Sequence, residues 1–386
     1  MHSVSWKGGG AFFHAYHIAK NMVARGHEVT LLSISAENKF SFSKKIIDGI
    51  KLIESPDLLS NQARSGWDLW DTICRIFYLW NRNYDIVHCL DCRPAVIFPG
   101  LFLKYKNKAK LVIEWLDWFG RGGTASERKS YIRFFMIPIE TFFEEKFRKF
   151  ADGTVGLGEP LTQRAIMMGV NKNIKTILHG CDTEKIEAFS KQYSRKFLNL
   201  EQDALYLGFT GRMRGDVASL FVEIIEKLRF VFKLNVFGLI IGNTAYNIDK
   251  HINKRLDNFI IRTGWIDYKL VNQYMCACDI LLLPFKKSLA RDSIWPSKLN
   301  DYLSVGRPII SSKLSVVNEI FNSYDIGLLV NDDSGSFTDA CIQLINSPQT
   351  MNKFGNNARK LAEGDLSWDK IIIELETYYK SVIFNK

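Results

Sequence analysis

No apolar run in this chain is long enough to span a bilayer. The longest candidate, residues 95–103, is interrupted by Pro99 and Gly100 and falls short of the roughly 18–20 residues a spanning helix needs. The first residues hold no apolar core of the kind a signal peptide requires. Cysteine is sparse, scattered and odd in number, seven in 386 residues, which argues against a disulfide framework and for a reducing, cytoplasmic compartment. His88, Cys89 and Cys92 form H-C-x-x-C, but no second ligand pair lies nearby, so no metal is expected. Proline and glycine are not in excess and charged residues make up 24%, which speaks against long disorder or a collagen-like repeat.

What the chain does have is length and apolar content. At 386 residues and 47% hydrophobic it can bury two cores, since single cores stop growing near roughly 250–300 residues. Its charge is lopsided. Of the net +10, an excess of eight positive charges lies in residues 1–180 and an excess of two in the remainder. Such a field suits nucleic acid, an anionic membrane or an anionic substrate, and charge alone does not choose among them. Lys104, Lys106, Lys108 and Lys110 are its densest piece and read as the solvated edge of a strand. Cys276 and Cys278 read as small core residues.

Periodicity alternates between helix and strand along the whole chain. Phe12, Ala15, Ala19, Met22 and Val23 fall at helical spacing over residues 11–25, Gly26-His27 ends that helix, and a strand follows at 29–32. Gly8-Gly9-Gly10 precedes it, so the chain opens as a mononucleotide-binding α/β half, with only residues 1–5 available for its first strand. A Trp-rich helix is expected at 67–80, strands at 85–89, 110–115 and 153–157, and a long helix at 131–150. A second series, with strands at 205–210, 234–241, 258–261, 279–284 and 308–311, implies a second parallel sheet. A closing helix spans 368–384. The expected division is residues 1–182, 183–366 and a C-terminal helix at 367–386 that packs back toward the first domain.

Three stretches offer chemistry. Gly8-Gly9-Gly10 before a helix presents backbone N–H groups with no side chains in the way of a phosphate, although such glycines also serve plain tight turns. Gly211-Arg212-Met213-Arg214-Gly215 follows the first strand of the second series, where open parallel sheets bind ligands, and a guanidinium matches paired phosphate oxygens. In the third, Pro296 is expected in a first helical turn. The N–H groups of Ser297 and Lys298 would then face an N-terminal pocket to which Lys298 adds charge, with Asp301 one turn further on.

Taken together, these stretches and the run Pro296-Ser-Lys-Leu-Asn-Asp-Tyr-Leu-Ser-Val-Gly-Arg-Pro308 resemble glycosyltransferase family 4. Arg25-Gly26-His27-Glu28-Val29, Tyr84-Asp85-Ile86-Val87-His88 and His179-Gly180-Cys181-Asp182-Thr183 look like that family's connecting phrases. The resemblance covers nearly the whole chain. It implies an α/β GT-B fold, two Rossmann-like domains facing across a cleft, with the acceptor held by the first and a nucleotide-sugar by the second. Retention without a bound metal or other cofactor is also implied, as is a role in polysaccharide or glycolipid assembly with a carbohydrate or lipid-linked acceptor. In that scheme Arg212 meets charge on the leaving diphosphate, Arg214 or Lys298 stands for the family's nearby lysine, and Asp301 takes the ribose-binding place of an E-x7-E element. Gly9 and Gly10 would close over the diphosphate.

The pattern is departed from in three places. The lysine usually found a few residues after the phosphate-binding arginine is not seen after Arg212. Ser293 stands where E-x7-E has its first acid, with Asp292 one residue out of register. The first-domain histidine of many relatives is replaced around Glu114-Trp-Leu-Asp117-Trp118, making Asp117 the candidate for sugar or acceptor contact. His14 and His88 read as structural. In residues 131–150 the phenylalanines at helical spacing read first as core, while their basic flanks admit peripheral contact with an anionic membrane at the inner face. A sugar-nucleotide epimerase would need paired acid–base groups that are not evident. A catalytically degenerate scaffold of the same fold stays open because of the altered acidic element. Nucleic-acid binding has only the charge to recommend it.

Overall fold

The computed structural model describes residues 1–3, 5, 10–59, 66–127, 132–170, 173–213, 215–243, 252 and 255–384. They form two compact units. The first comprises Met1–His179, Ser293–Trp295 and Trp368–Lys386, and the second Gly180–Asp292 and Pro296–Ser367.

Unit 1 is built on strands β1 (Thr30–Ile34), β2 (Ser43–Ile47), β3 (Ile50–Ser55), β4 (Ile86–Cys89), β5 (Lys110–Trp115), β6 (Gly153–Gly156) and β7 (Ile174–Thr176). They pair as β1-β3-β2 and β4-β5-β6-β7, parallel except for the β2–β3 hairpin. Residues 1–3 lie between the two groups: the His2 N–H donates to Leu32 O (2.9 Å) and the Leu90 N–H to Met1 O (3.0 Å). Three residues thus fill a central sheet position. The hairpin turns on Asp48 (φ 49°) and Gly49 (φ 76°), the left-handed pair that a two-residue turn demands.

Its main helices are α1 (Gly10–Ala24), α2 (Leu69–Leu79), α3 (Pro94–Asn107) and α4 (Ile132–Phe142). Three expectations are corrected here. Pro99 and Gly100 do not break the apolar segment, because a proline forfeits only one backbone hydrogen bond, and Gly100 lies where a Cβ would come within 2.6 Å of Cys89 Sγ. The lysine run is not a strand edge. Lys104 and Lys106 occupy the last turn of α3, where cations favour the helix dipole, and Lys110 opens β5, which is paired on both sides. The segment expected as one helix over 131–150 changes pitch instead, from α4 into a π turn (Phe143–Phe147) and a 3₁₀ turn (Arg148–Phe150).

Unit 2 is a single parallel sheet of six strands: β8 (Leu205–Thr210), β9 (Val236–Ile241), β10 (Ile260–Gly264), β11 (Ile280–Leu283), β12 (Ile309–Ser312) and β13 (Gly327–Val330). The order is β10-β9-β8-β11-β12-β13. Chain direction across the sheet therefore reverses between β8 and β11. Leu207, Phe209, Phe221, Ile240 and Leu282 belong to one dry core beneath it. No helix among the described residues is long and apolar enough to cross a membrane.

Candidate functional site

In an open parallel sheet the crevice for a ligand opens beyond the carboxyl ends of the two strands at which the order reverses. Here those strands are β8 and β11, and both lead into sequences marked above. β8 ends at Thr210 and runs into Gly211 (φ 82°), whose N–H donates to Ile241 O at 2.7 Å. A Cβ on Gly211 would lie 3.1 Å from Lys298 Cε and 3.4 Å from its Nζ. Glycine here serves both the left-handed backbone and the close approach of Lys298. Arg212 follows, exposed and with no described partner, while Met213 is buried and anchors the far side of the turn.

After β11 the chain reaches the helix Lys298–Val305, with the exposed Ser297 as its N-cap and Pro296 before that cap rather than inside the first turn. The helix is tied to both strands by Tyr302. Its hydroxyl accepts from the Thr210 N–H (2.9 Å) and donates to Leu282 O (3.4 Å). That bond holds Lys298 opposite Gly211. Asp301 lies one turn inward, 3.5 Å from the Tyr268 hydroxyl. Burial pushes its carboxyl up to about 7, Lys298 and Tyr268 draw it down, and Asp182 adds repulsion. Asp292 is committed elsewhere: it accepts from the N–H (2.8 Å) and hydroxyl (2.7 Å) of Ser315 and pairs with Lys287 (3.2 Å). Its carboxylate thus caps the helix Ser315–Tyr324.

The structure brings Gly211-Arg212, Ser297, Lys298 and Asp301 to one edge of unit 2. Asp117 belongs to unit 1, just past β5. Gly9 and Arg214 lie outside the described residues, and Gly10 opens α1.

Asp117 lines a pocket of about 70 Å³ together with Asp91, Arg93, Glu140, Glu144 and Arg148. Glu144, on the π turn, accepts from the N–H groups of Phe119 (2.8 Å) and Gly120 (2.7 Å), which fixes the loop that carries Asp117. Burial raises the Glu144 carboxyl to about 7 despite those bonds. Also lining the pocket, buried Glu114 meets His14 at 2.7 Å and His88 at 3.2 Å, and the Tyr379 hydroxyl reaches His88 Nδ1 at 2.6 Å. Burial raises the Glu114 carboxyl, but the two imidazoles outweigh it and hold the group below the usual range. Cys89 and Cys92 are buried thiols pushed up to about 12 by desolvation.

Sequence reasoning passed over Tyr302 and Glu114. For Tyr302 a signal existed, since it stands four residues after Lys298 on one helix face. Glu114, buried in a strand among apolar neighbours, becomes legible only once α1 and the C-terminal helix are packed against it.

Two family models match in tandem: "Glycosyltransferase Family 4" over residues 8–185 and "Glycosyl transferases group 1" over residues 204–347. Among curated proteins the chain is 24% identical over 207 residues to a putative teichuronic acid biosynthesis glycosyltransferase, TuaH, of Bacillus subtilis. That match covers 52% of this chain and spans only half (50%) of the relative's length. It is also 24% identical over 319 residues to an uncharacterized glycosyltransferase, MJ1069, of Methanocaldococcus jannaschii, covering 80% of this chain and 78% of that one. In structure it is similar to sucrose-phosphate synthase from Thermosynechococcus elongatus (TM-score 0.76, 14% identity, 97% of this chain and 94% of that one). It is likewise similar to Anabaena Alr3699/HepE in complex with UDP and glucose (TM-score 0.72, 15% identity, 98% of each chain). The chain thus has the GT-B fold, two Rossmann-like halves, and its halves match glycosyltransferase family models in order.

Proposed function

We propose that this chain transfers a sugar from a nucleoside-diphosphate donor to a carbohydrate or lipid-linked acceptor, with retention, in polysaccharide or glycolipid assembly. One observation carries the reading: two cations, Arg212 and Lys298, stand at the point where strand order reverses, beside the start of a helix. Fixed positive charge of this kind stabilises a diphosphate as it leaves, without reorganising during the reaction. Arg212 takes the developing charge in this reading, Lys298 and the N–H groups after Ser297 assist, and Asp301 receives a ribose hydroxyl. Gly9, Gly10 and Arg214 add diphosphate contacts, and Asp117 contacts the sugar or acceptor. The leaving group is met by the chain's own cations, so no metal is assigned. The UDP and glucose bound to HepE and the teichuronic acid role ascribed to TuaH support the substrate class.

Calorimetry against UDP, GDP, ADP and their sugar conjugates tests this. One nucleotide is expected to bind, and Arg212→Ala to weaken it about ten- to hundred-fold through lost charge-assisted hydrogen bonds. Binding of none overturns the reading. The scaffold alternative draws on the commitment of Asp292 to Ser315, which leaves no acid at the first E-x7-E position. Donor binding without transfer or donor hydrolysis would favour it.

A further inference from the structure

Helix α2 presents most of its large apolar residues outward and its charged ones inward, Leu79 being the buried exception. Asp71, Thr72 and Arg75 are buried, the Arg75 Nε donating to Asp71 (2.7 Å) and Ser55 (2.9 Å) and its NH1 to His2 O (3.0 Å). Leu69 (64% exposed), Trp70, Ile73, Phe77 (70%) and Trp80 (49%), spaced one helical face apart, meet solvent. A surface helix ordinarily does the reverse, because each large apolar side chain left in water forfeits the free energy of its burial.

The exposed face continues beyond α2. Trp80 lies 5.4 Å from the ring of Phe102 on α3. Phe98, one turn earlier on α3, meets Phe143 at 5.8 Å, and Phe143 meets Phe142 at 5.7 Å. On α4, Phe134 (78%), Phe135 and Phe142 are again exposed. The expectation that the phenylalanines of residues 131–150 face the core thus holds only for part of them, chiefly Phe143 and Phe147.

Charge on this face has one dominant sign. Of the carboxylates on α2, α3 and the segment 132–150, Asp71, Glu140 and Glu144 are buried, and Glu145 pairs with Arg164 at 3.3 Å. Lys106 sits 3.9 Å over the Trp80 ring, the Trp70 indole N–H donates to Lys39 O (3.0 Å), and Lys146 and Lys149 are exposed beside Phe142 and Phe150. Tryptophan and phenylalanine interleaved with lysine is the composition that enters the boundary between lipid headgroups and acyl chains, and its charge complements anionic lipid.

We propose that the face formed by α2, α3 and α4 docks unit 1 onto an anionic phospholipid bilayer. This inference does not depend on the donor reading. Full-length protein is sedimented with vesicles of phosphatidylcholine alone and of equimolar phosphatidylcholine and phosphatidylglycerol, at low and high salt. Binding to the mixed vesicles is expected to exceed binding to neutral ones at least about ten-fold and to weaken with salt. The double variant Ile73→Ser/Phe77→Ser is expected to lower partitioning by about ten-fold or more, and Lys39→Gln by about five-fold. Both should keep the wild-type circular dichroism and nucleotide binding, since neither position belongs to the donor site. Failure of the wild type to sediment with mixed vesicles, equal binding to both compositions, or unchanged binding by the double variant overturns the proposal. So does a dimer, seen by light scattering, that the double variant dissolves, because a second copy would then be what covers the face.

Discussion

The two units spend their interiors differently. Unit 2 buries an apolar sheet, with β11 and β12 wholly inside, and keeps Arg212 and Lys298 at the strand ends. Unit 2 also buries Arg195 against Asp279 (2.6 Å), but unit 1 buries many more ionisable groups, Asp71 with Arg75, Glu114 with His14 and His88, Glu144 and Arg148, while several of its largest aromatics lie outside. A dry core holds a ligand edge still at little electrostatic cost. A polar interior is held by mutual pairing and is correspondingly easy to break from one side, since removing one partner strands the other.

The largest effect should come from breaking such a pair. Arg75→Leu leaves the Asp71 carboxylate buried without its cation and is expected to cost unit 1 about 3–5 kcal/mol, measured by urea unfolding. Asp71→Leu together with Arg75→Leu should recover most of that loss. A single variant that costs under about 1 kcal/mol would mean the polar interior is not what holds unit 1.

Next comes the anchor of the unit 2 edge. Tyr302→Phe strands the buried Thr210 N–H and is expected to cost about 1–3 kcal/mol, with nucleotide binding weakened because Lys298 is no longer held opposite Gly211. Calorimetry and thermal melting together separate the two consequences.

A smaller effect sharpens the comparison through pH. The folded-state pKa of Asp301, about 7, stands above the ordinary 3.8, so the folded state binds this proton more tightly than the unfolded chain. Its contribution to stability therefore falls as pH rises from about 3.8 to about 7. Asp301→Asn should flatten that part of the melting profile and gain on the wild type as pH rises. An unchanged slope would place the carboxyl in water. Smallest of all, Arg212→Ala should shift unfolding by less than about 0.5 kcal/mol, since the side chain is exposed, even though it weakens nucleotide binding.

Much of unit 2 was legible because its strands are short apolar runs separated by helices, and a strand buried on both faces needs no tertiary information to declare itself. Strands β8 and β11 and the stretches after them were read directly, although β13 was not. Unit 1 was harder. The β2–β3 hairpin was passed over although Asp48-Gly49 marks its turn, because β2 is largely exposed and lacks an alternating pattern. Residues 1–3 fall below the length at which periodicity means anything, yet they sit between two strands.

By itself the sequence determined the alternation of helix and strand, the parallel sheets and the clustering of Gly211, Arg212, Ser297, Lys298 and Asp301 in two short stretches. Those features follow from local spacing and from residue types with strong backbone preferences. Tertiary structure alone decided that Lys298 meets Gly211, that Asp292 is spent on a helix cap, and that Glu114 receives two histidines. It also decided which face of α2 looks outward. Each of these depends on which groups lose water together, and that is a property of packing between distant segments rather than of any window along the chain.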